Sequence, residues 1–274
     1  MRGTQNAIQK GKPMKIAALQ LSNNKSQSEI ESYLKAAVEA KAKIILFGEY
    51  LLNPFFKNLE SKRHKKSQWL EQINKENENL LQLSSKYGII IVTPILEIVS
   101  RKIFKTILII NKGKALRYRA QKLMPYEHWN EAKFFANTSP KILRTPPIFS
   151  VGGIKFSVLF GYELHFDEFW LKFKNENVDC VLLPSASTFD SSLRWRSIIK
   201  MRAFLNSCYV LRANRIGQYE DTPTKTLWNF YGDSLFVCPN GEVIDCLGDR
   251  EELLIAEVDK KYLKEIKECW RFRS

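Results

Sequence analysis

Ile154-Lys155-Phe156-Ser157-Val158-Leu159-Phe160-Gly161-Tyr162-Glu163-Leu164-His165-Phe166-Asp167-Glu168 reads as a buried strand that stops at a sharp turn and continues into a helix. The nearly continuous apolar run up to Phe160 is the pattern of a strand covered on both faces. Beyond the turn, Phe166, Phe169, Trp170 and Phe173 recur at helical intervals. A strand that ends this way presents the residues of its turn to a pocket.

The same alternation runs outward in both directions. Upstream, residues 15–21 read as a strand. A helix comes next, opened by the capping-box pattern Ser26-Gln27-Ser28-Glu29 and continued by Ile30, Tyr33, Leu34, Ala37 and Val38. Residues 44–47 form an all-apolar strand that ends in Gly48-Glu49-Tyr50; a helix over 76–86 stops at Gly88, and strands succeed it at 89–96, 105–111 and 115–118. Downstream, a strand at 180–183 passes through Pro184-Ser185-Ala186-Ser187 to a helix near 192–205, and a strand at 208–213 ends at Asn214. Pro239-Asn240-Gly241 joins a hairpin of 233–237 and 242–246, with Asn-Gly supplying positive φ angles, before a last strand at 253–258 and a helix over 259–268. Two sets of strand-helix units with antiparallel hairpins predict an α/β fold, a four-layer α-β-β-α sandwich of two mixed sheets.

Composition narrows the class. A chain of 274 residues, 45% hydrophobic, can bury a sizeable core, and its apolar runs are too short for a membrane span. Residues 1–13 lack any apolar period and read as a flexible extension, leaving one domain over 14–274. Five cysteines without CxxC pairing or zinc spacing read as reduced thiols in a cytoplasmic protein, with no metal and no cofactor called for. Cys180 and Cys208 sit inside apolar strands and read as small hydrophobes. The net charge of +14 and the basic run 57–66 suit a nucleic-acid or acidic partner, but no nucleic-acid-binding motif accompanies them, so that reading ranks last.

The stretch around Gly161 resembles the nitrilase superfamily of carbon-nitrogen hydrolases, whose members carry a Cys-Tyr-Glu-like run at this turn. The resemblance extends through Pro184-Ser185-Ala186, Trp195, Met201-Arg202-Ala203, Asn206-Ser207-Cys208-Tyr209-Val210, Ala213-Asn214-Arg215-Ile216-Gly217, Tyr231-Gly232-Asp233-Ser234 and Pro239-Asn240-Gly241-Glu242-Val243. It covers almost the whole chain from Met14 to about Lys267 and implies the same four-layer fold, amide hydrolysis and homodimers paired through helices beside the turn.

Amide hydrolysis through a covalent intermediate needs a nucleophile, a base, and a cation or oxyanion hole. By the residues alone, Glu49 is equally a pocket base or a strand-end carboxylate in water; the resemblance implies the base. For the lysine, two residues on from Tyr118 lies Ala120. Lys122 matches the family's Tyr-Arg-Lys element with two residues inserted, and Leu123-Met124-Pro125 resembles the run just after the family's lysine, so Lys122 is the expected catalytic lysine against the alternative of a surface lysine. The resemblance makes Glu131 the second acid, with Glu127 its rival, and places Tyr162 and Ser185 beside the substrate.

At the nucleophile position the resemblance puts Gly161, which has neither lone pair nor proton to offer. Ser157 lies four residues back, roughly 13 Å along a strand, and alternation predicts that Tyr162 points to the opposite face. Loss of a nucleophile that acts in concert with its base costs on the order of 10⁶ in turnover. Three readings remain: a homologue impaired in covalent catalysis, a pseudoenzyme holding a small amide or carboxylate; an active amidase in which a natural cysteine at 161 has been replaced; and a basic scaffold or nucleic-acid-binding protein. Residues 50–56, 126–130, 188–194 and 224–231 would line the pocket, and their aromatic content suggests a flat or apolar ligand.

Overall fold

Strands whose every residue is buried need a layer on each face, and β2 (Ile44–Phe47) and β8 (Cys180–Pro184) are of this kind. A computed structural model describes residues 13–23, 25–60, 66–221 and 224–273. One six-stranded sheet runs β14 (Glu252–Val258), β1 (Met14–Gln20), β2, β3 (Ile90–Val99), β4 (Lys102–Asn111) and β5 (Lys114–Arg119). The other runs β13 (Val243–Cys246), β12 (Leu235–Val237), β9 (Tyr209–Ala213), β8, β7 (Ile154–Val158) and β6 (Phe149–Val151). The central pairs β1–β2–β3 and β7–β8–β9 are parallel and the outer pairs antiparallel, so both sheets are mixed.

Alternation along the strands divides the core into three layers. Ile16, Ala18, Ile44 and Leu46 face Phe156, Val158, Leu182 and Leu211 between the sheets. The intervening residues Ala17, Leu19, Ile45 and Phe47 pack outward on Ile30, Leu34 and Ala37 of α1 (Gln27–Glu39) and Leu80 and Leu83 of α3 (Lys66–Tyr87). On the other side, Val181, Leu183 and Val210 receive Phe169, Trp170 and Phe173 of α5 (Asp167–Asn175) and Ile199 and Ala203 of α6 (Ser192–Leu205). These layers make up the four-layer sandwich, and most of the aromatic stripe of α5 is core.

Several elements depart from the sequence expectation for identifiable reasons. Helix α3 begins at Lys66, ten residues before the predicted start, because the polar run 74–79 separates Leu70 and Ile73 from the Leu80 and Leu83 that carry the period downstream. At the β12–β13 connection only Gly241 has positive φ, and its N–H donates to the Cys238 carbonyl (2.9 Å). Pro239 at the second turn position therefore gives a type I turn and then a left-handed glycine, in place of an Asn-Gly turn with two positive φ angles. The hairpin β10 (Ile216–Asp221) and β11 (Thr226–Tyr231), missed in the sequence, forms its own two-stranded sheet and buries only alternate residues such as Trp228 and Phe230. Residues 1–12 of the expected extension and 61–65 of the basic run lie outside the described residues.

The sheets meet closely where β2 ends. The Glu49 N–H donates to the Ser185 carbonyl (3.1 Å), tying the ends of β2 and β8 together across the sandwich. A Cβ on Gly48 would stand 3.1 Å from the Asn214 carbonyl carbon and 3.2 Å from its oxygen, backbone atoms that cannot rotate away. Gly48→Ala is expected to lower stability by about 1–3 kcal/mol through forced separation of the strand ends, measured by urea unfolding. Replacement of the exposed Leu171 on α5 by Ala should stay within about 0.5 kcal/mol.

Candidate functional site

Three elements bring charge to one buried point. The chain leaving β2 supplies Glu49, 2% exposed; the middle of β4 supplies Lys105, 3% exposed; and the one-turn helix α4 (Glu131–Phe134) supplies Glu131, fully buried. The Lys105 Nζ lies 2.6 Å from Glu49 Oε2 and 2.6 Å from Glu131 Oε1. It also stands over the rings of Tyr50, at 5.4 Å, and Phe160, at 4.9 Å. Glu131 is held by further donors: the Tyr50 hydroxyl (2.7 Å), the Trp129 indole N–H (3.2 Å) and the Met124 N–H (3.3 Å). Asn130 caps α4 by accepting from the Lys133 N–H at 3.0 Å, which fixes the turn that presents Glu131.

Burial and mutual charge act in opposite senses on these groups. Burial raises the Glu49 pKa above the ordinary carboxylate value, and the Glu131 charge adds to the rise while Lys105 opposes it. For Lys105 burial alone would lower the pKa; the charges of Glu131 and Glu49 and their hydrogen bonds outweigh it, so the ammonium is held above its usual value. Burial also pushes Tyr50 up, keeping its hydroxyl a donor to Glu131.

Gly161 sits directly against this group. Its N–H donates to Glu49 Oε1 (3.2 Å), and its backbone has no positive φ, so its conformation is open to any residue. The space is not. A Cβ at 161 would stand 3.0 Å from Ser185 Cβ, 3.3 Å from the Trp195 ring and 3.4 Å from Glu49 Oε1. Glu49, Gly161 and Ser185 line a cavity of about 250 Å³, whereas Lys105 and Glu131 stand behind Glu49 and outside its lining. The Ser185 hydroxyl accepts from Arg212 Nε (2.9 Å) and donates to Asn214 Oδ1 (3.2 Å), so it is committed to the β9 side of the site.

The structure separates the sequence expectations. Glu49, Glu131, Gly161, Tyr162 and Ser185 come together; Lys122 does not. Strand β5 ends at Arg119, Ala120 donates its N–H to the Lys105 carbonyl (2.9 Å), and the chain then turns so that the Lys122 N–H meets Glu163 Oε1 (3.2 Å). Its ammonium rests 5.2 Å from the Phe166 ring centroid in a neighbouring crevice. The lysine between the carboxylates is Lys105, and its signal in the sequence is a cation inside an otherwise apolar strand. Tyr162 also differs from expectation. The strand ends at Val158 and residues 161–165 form a 3-10 turn, so alternation no longer applies and Tyr162 lines the same cavity as Gly161. Glu127, the rival acid, is exposed, and the Ser157 hydroxyl donates to the Pro147 carbonyl (3.0 Å).

Beneath the turn, the fully buried Glu163 accepts from the N–H groups of Gln121 (2.7 Å), Lys122 and Phe160 and from the Tyr118 hydroxyl (2.9 Å). Burial nevertheless raises its pKa to about 7. Burial also raises the thiols of Cys180 and Cys208, the latter to about 11, which fits inert core cysteines. Among the described residues no cluster of His, Cys, Asp or Glu is placed to hold a metal ion, and no helix is long and apolar enough to cross a membrane.

The carbon-nitrogen hydrolase family profile matches residues 15–268, and the chain belongs to that family. Its relatives include the β-ureidopropionase of Arabidopsis thaliana, 26% identical over 89% of this chain and 63% of that protein. The omega-amidase of Saccharomyces cerevisiae is 26% identical over 69% of this chain and 66% of that protein. The deaminated glutathione amidase of Rattus norvegicus is 26% identical over 48% of this chain, and the match spans only 38% of that relative's length. A carbon-nitrogen hydrolase from Helicobacter pylori superposes with a TM-score of 0.80 at 20% identity, covering 94% of each chain. A cysteine-to-alanine variant of the Nesterenkonia AN1 amidase superposes at 0.77 and 22% identity, over 95% of this chain and 96% of that one. At these identities the superpositions establish the fold.

Lys105→Met leaves two buried carboxylates without their cation and should cost about 3–5 kcal/mol at neutral pH, whereas Lys122→Met should stay within about 0.5 kcal/mol; equal effects in urea unfolding would contradict the assignment. Glu163 has a folded pKa of about 7 against an ordinary 4.5, so the folded state binds the extra proton between those values. Its contribution is present below pH 4.5 and lost as pH rises through about 7. Glu163→Gln is expected to flatten that decline in urea unfolding measured across this pH range, even though the variant loses an acceptor for Phe160.

Proposed function

We propose that this chain binds a small amide or carboxylate above Gly161 and performs no acyl transfer through that position. The observation that carries the reading is the glycine itself, seated against Glu49 with no side chain and with Ser185 and Trp195 closed onto the space a side chain would need. Acyl transfer requires an atom that attacks the carbonyl carbon and later leaves it. Here Glu49 has the raised pKa of a base, but the group beside it is a backbone amide that can only donate. Glu49 can accept an N–H from a bound amide or orient a water, and Lys105 serves to hold Glu49 and Glu131 in place.

The relatives support the ligand class. The Nesterenkonia amidase has been seen with butyramide in a cysteine-to-alanine variant, and a glutamate-to-glutamine variant shows covalent addition of the acetamide moiety of fluoroacetamide at the active-site cysteine. The tight packing at 161 argues against a natural cysteine there in otherwise unchanged surroundings, since its Cβ would begin 3.0 Å from Ser185. Leu171 on α5 and Leu193, Met201 and Leu205 on α6 are exposed apolar residues beside the turn, which supports homodimer pairing through these helices. Five free thiols support a reducing, cytoplasmic setting.

Intact-mass analysis after incubation with fluoroacetamide should show no adduct on the wild-type protein, and acetamide hydrolysis should remain at background. Gly161→Cys is expected to lose about 1–3 kcal/mol of stability from crowding, with part of it regained in Gly161→Cys/Ser185→Gly, and to gain the adduct. Multiple-turnover acetamide hydrolysis by the unaltered chain that Glu49→Gln abolishes would overturn the proposal, whereas an adduct that peptide mapping places on the exposed Cys246 or Cys269 lies outside the site.

A further inference from the structure

We infer that the wall of the Gly161 cavity is an aromatic collar that selects an amide bearing a flat, aromatic substituent. This rests on the reading that the cavity binds an amide, and goes further in naming the substituent.

Six rings from three separate segments touch in sequence along the cavity wall, from the half-exposed Phe189 down to Trp195, whose ring lies 3.3 Å from where a Cβ on Gly161 would stand. Phe189 meets His128 edge-on at 5.7 Å, and His128 stacks on Tyr126 at 5.8 Å with 12° between the planes. Tyr126 meets Tyr162 edge-on at 6.0 Å, Tyr162 contacts His165 at 6.0 Å, and His165 meets Trp195 edge-on at 5.4 Å. All six side chains line the cavity whose floor holds Glu49, Gly161 and Ser185.

The collar is not explained by the core. Tyr126 and Phe189 are each 47% exposed. Phe189 also has φ +59°, a left-handed conformation that costs energy for a bulky residue and must be held by its surroundings. The conformation sets its ring against His128 and, at 5.1 Å, against Trp228. Backbone strain that keeps a large ring half in water at a cavity mouth points to a ligand as the missing partner.

The chemistry of the two ends then defines the guest. Rings attract other rings through offset and edge-to-face contacts that a saturated group of equal size cannot reproduce. At the floor the Glu49 carboxylate accepts hydrogen bonds, which suits a primary amide N–H₂. About 250 Å³ is at the small end of ligand sites and suits a single ring with its amide. Aromatic cages also hold organic cations, and because the Glu49 carboxylate and the exposed Arg194 both line this cavity, an ammonium guest is the rival that the titration separates.

Isothermal titration with benzamide, cyclohexanecarboxamide, acetamide and benzyltrimethylammonium tests the inference on the intact protein. Benzamide is expected to bind about tenfold more tightly than its saturated counterpart, and Phe189→Leu, which keeps bulk but removes the ring, should shift that ratio several-fold toward one. Equal affinity for benzamide and cyclohexanecarboxamide would overturn the collar while leaving the amide site standing. Tighter binding of the ammonium probe would also overturn it. Absence of binding by every amide would remove the underlying site reading together with the collar.

Discussion

A single ammonium group, Lys105 Nζ, lies 2.6 Å from carboxylate oxygens of both Glu49 and Glu131, and the arrangement of the whole site depends on it. Each of the three side chains would be costly to bury alone, since desolvation of a charge exceeds anything packing returns. Together they link the end of β2, the middle of β4 and the short helix α4, segments far apart in the sequence. The Tyr50 hydroxyl and the Trp129 indole complete the satisfaction of Glu131, whereas Glu49 Oε2 has the Lys105 ion pair and no hydrogen bond of good geometry. Burial, reinforced by the neighbouring Glu131 charge, raises the Glu49 pKa even against Lys105, which stays charged.

Gly161 occupies the remaining side of Glu49. Its amide hydrogen gives Glu49 Oε1 a partner, and its lack of a side chain lets Ser185 and Trp195 approach. The buried Glu163 just beyond it gathers four donors from β5, the loop after it and the end of the β7 segment, and so fixes the turn that positions Gly161. The result is a polar floor of Glu49 and the Gly161 amide at one end of the cavity, with no side-chain atom at 161.

Much of this was legible in the sequence because periodicity reports burial directly. The apolar run at 44–47 reads as a strand covered on both faces, and the helical spacing in α1 and α5 named the faces that pack on the sheets. Glu49 and Glu131 were reached through the family resemblance, since the residues alone left Glu49 open between pocket and water and Glu131 open against Glu127. Lys105 was not, because its partners come from other elements and a local count from Tyr118 leads to Ala120 or Lys122. Ala120 bonds to Lys105 through the backbone, so the correct lysine lies on the adjacent strand, a relation only sheet pairing reveals. The orientation of Tyr162 was lost for a related reason: the strand period ended two residues before Gly161, where a 3-10 turn begins.

The most direct test is an NMR titration of the lysine side-chain carbon and nitrogen signals, with Lys105→Met supplying the assignment. An ammonium gripped by two buried carboxylates should show Lys105 still protonated beyond the ordinary lysine value of 10.5, up to the pH at which the protein unfolds. A Lys105 signal that titrates in the native protein at or below that value would contradict the assembled charge cluster and, with it, the site built around Glu49 and Gly161.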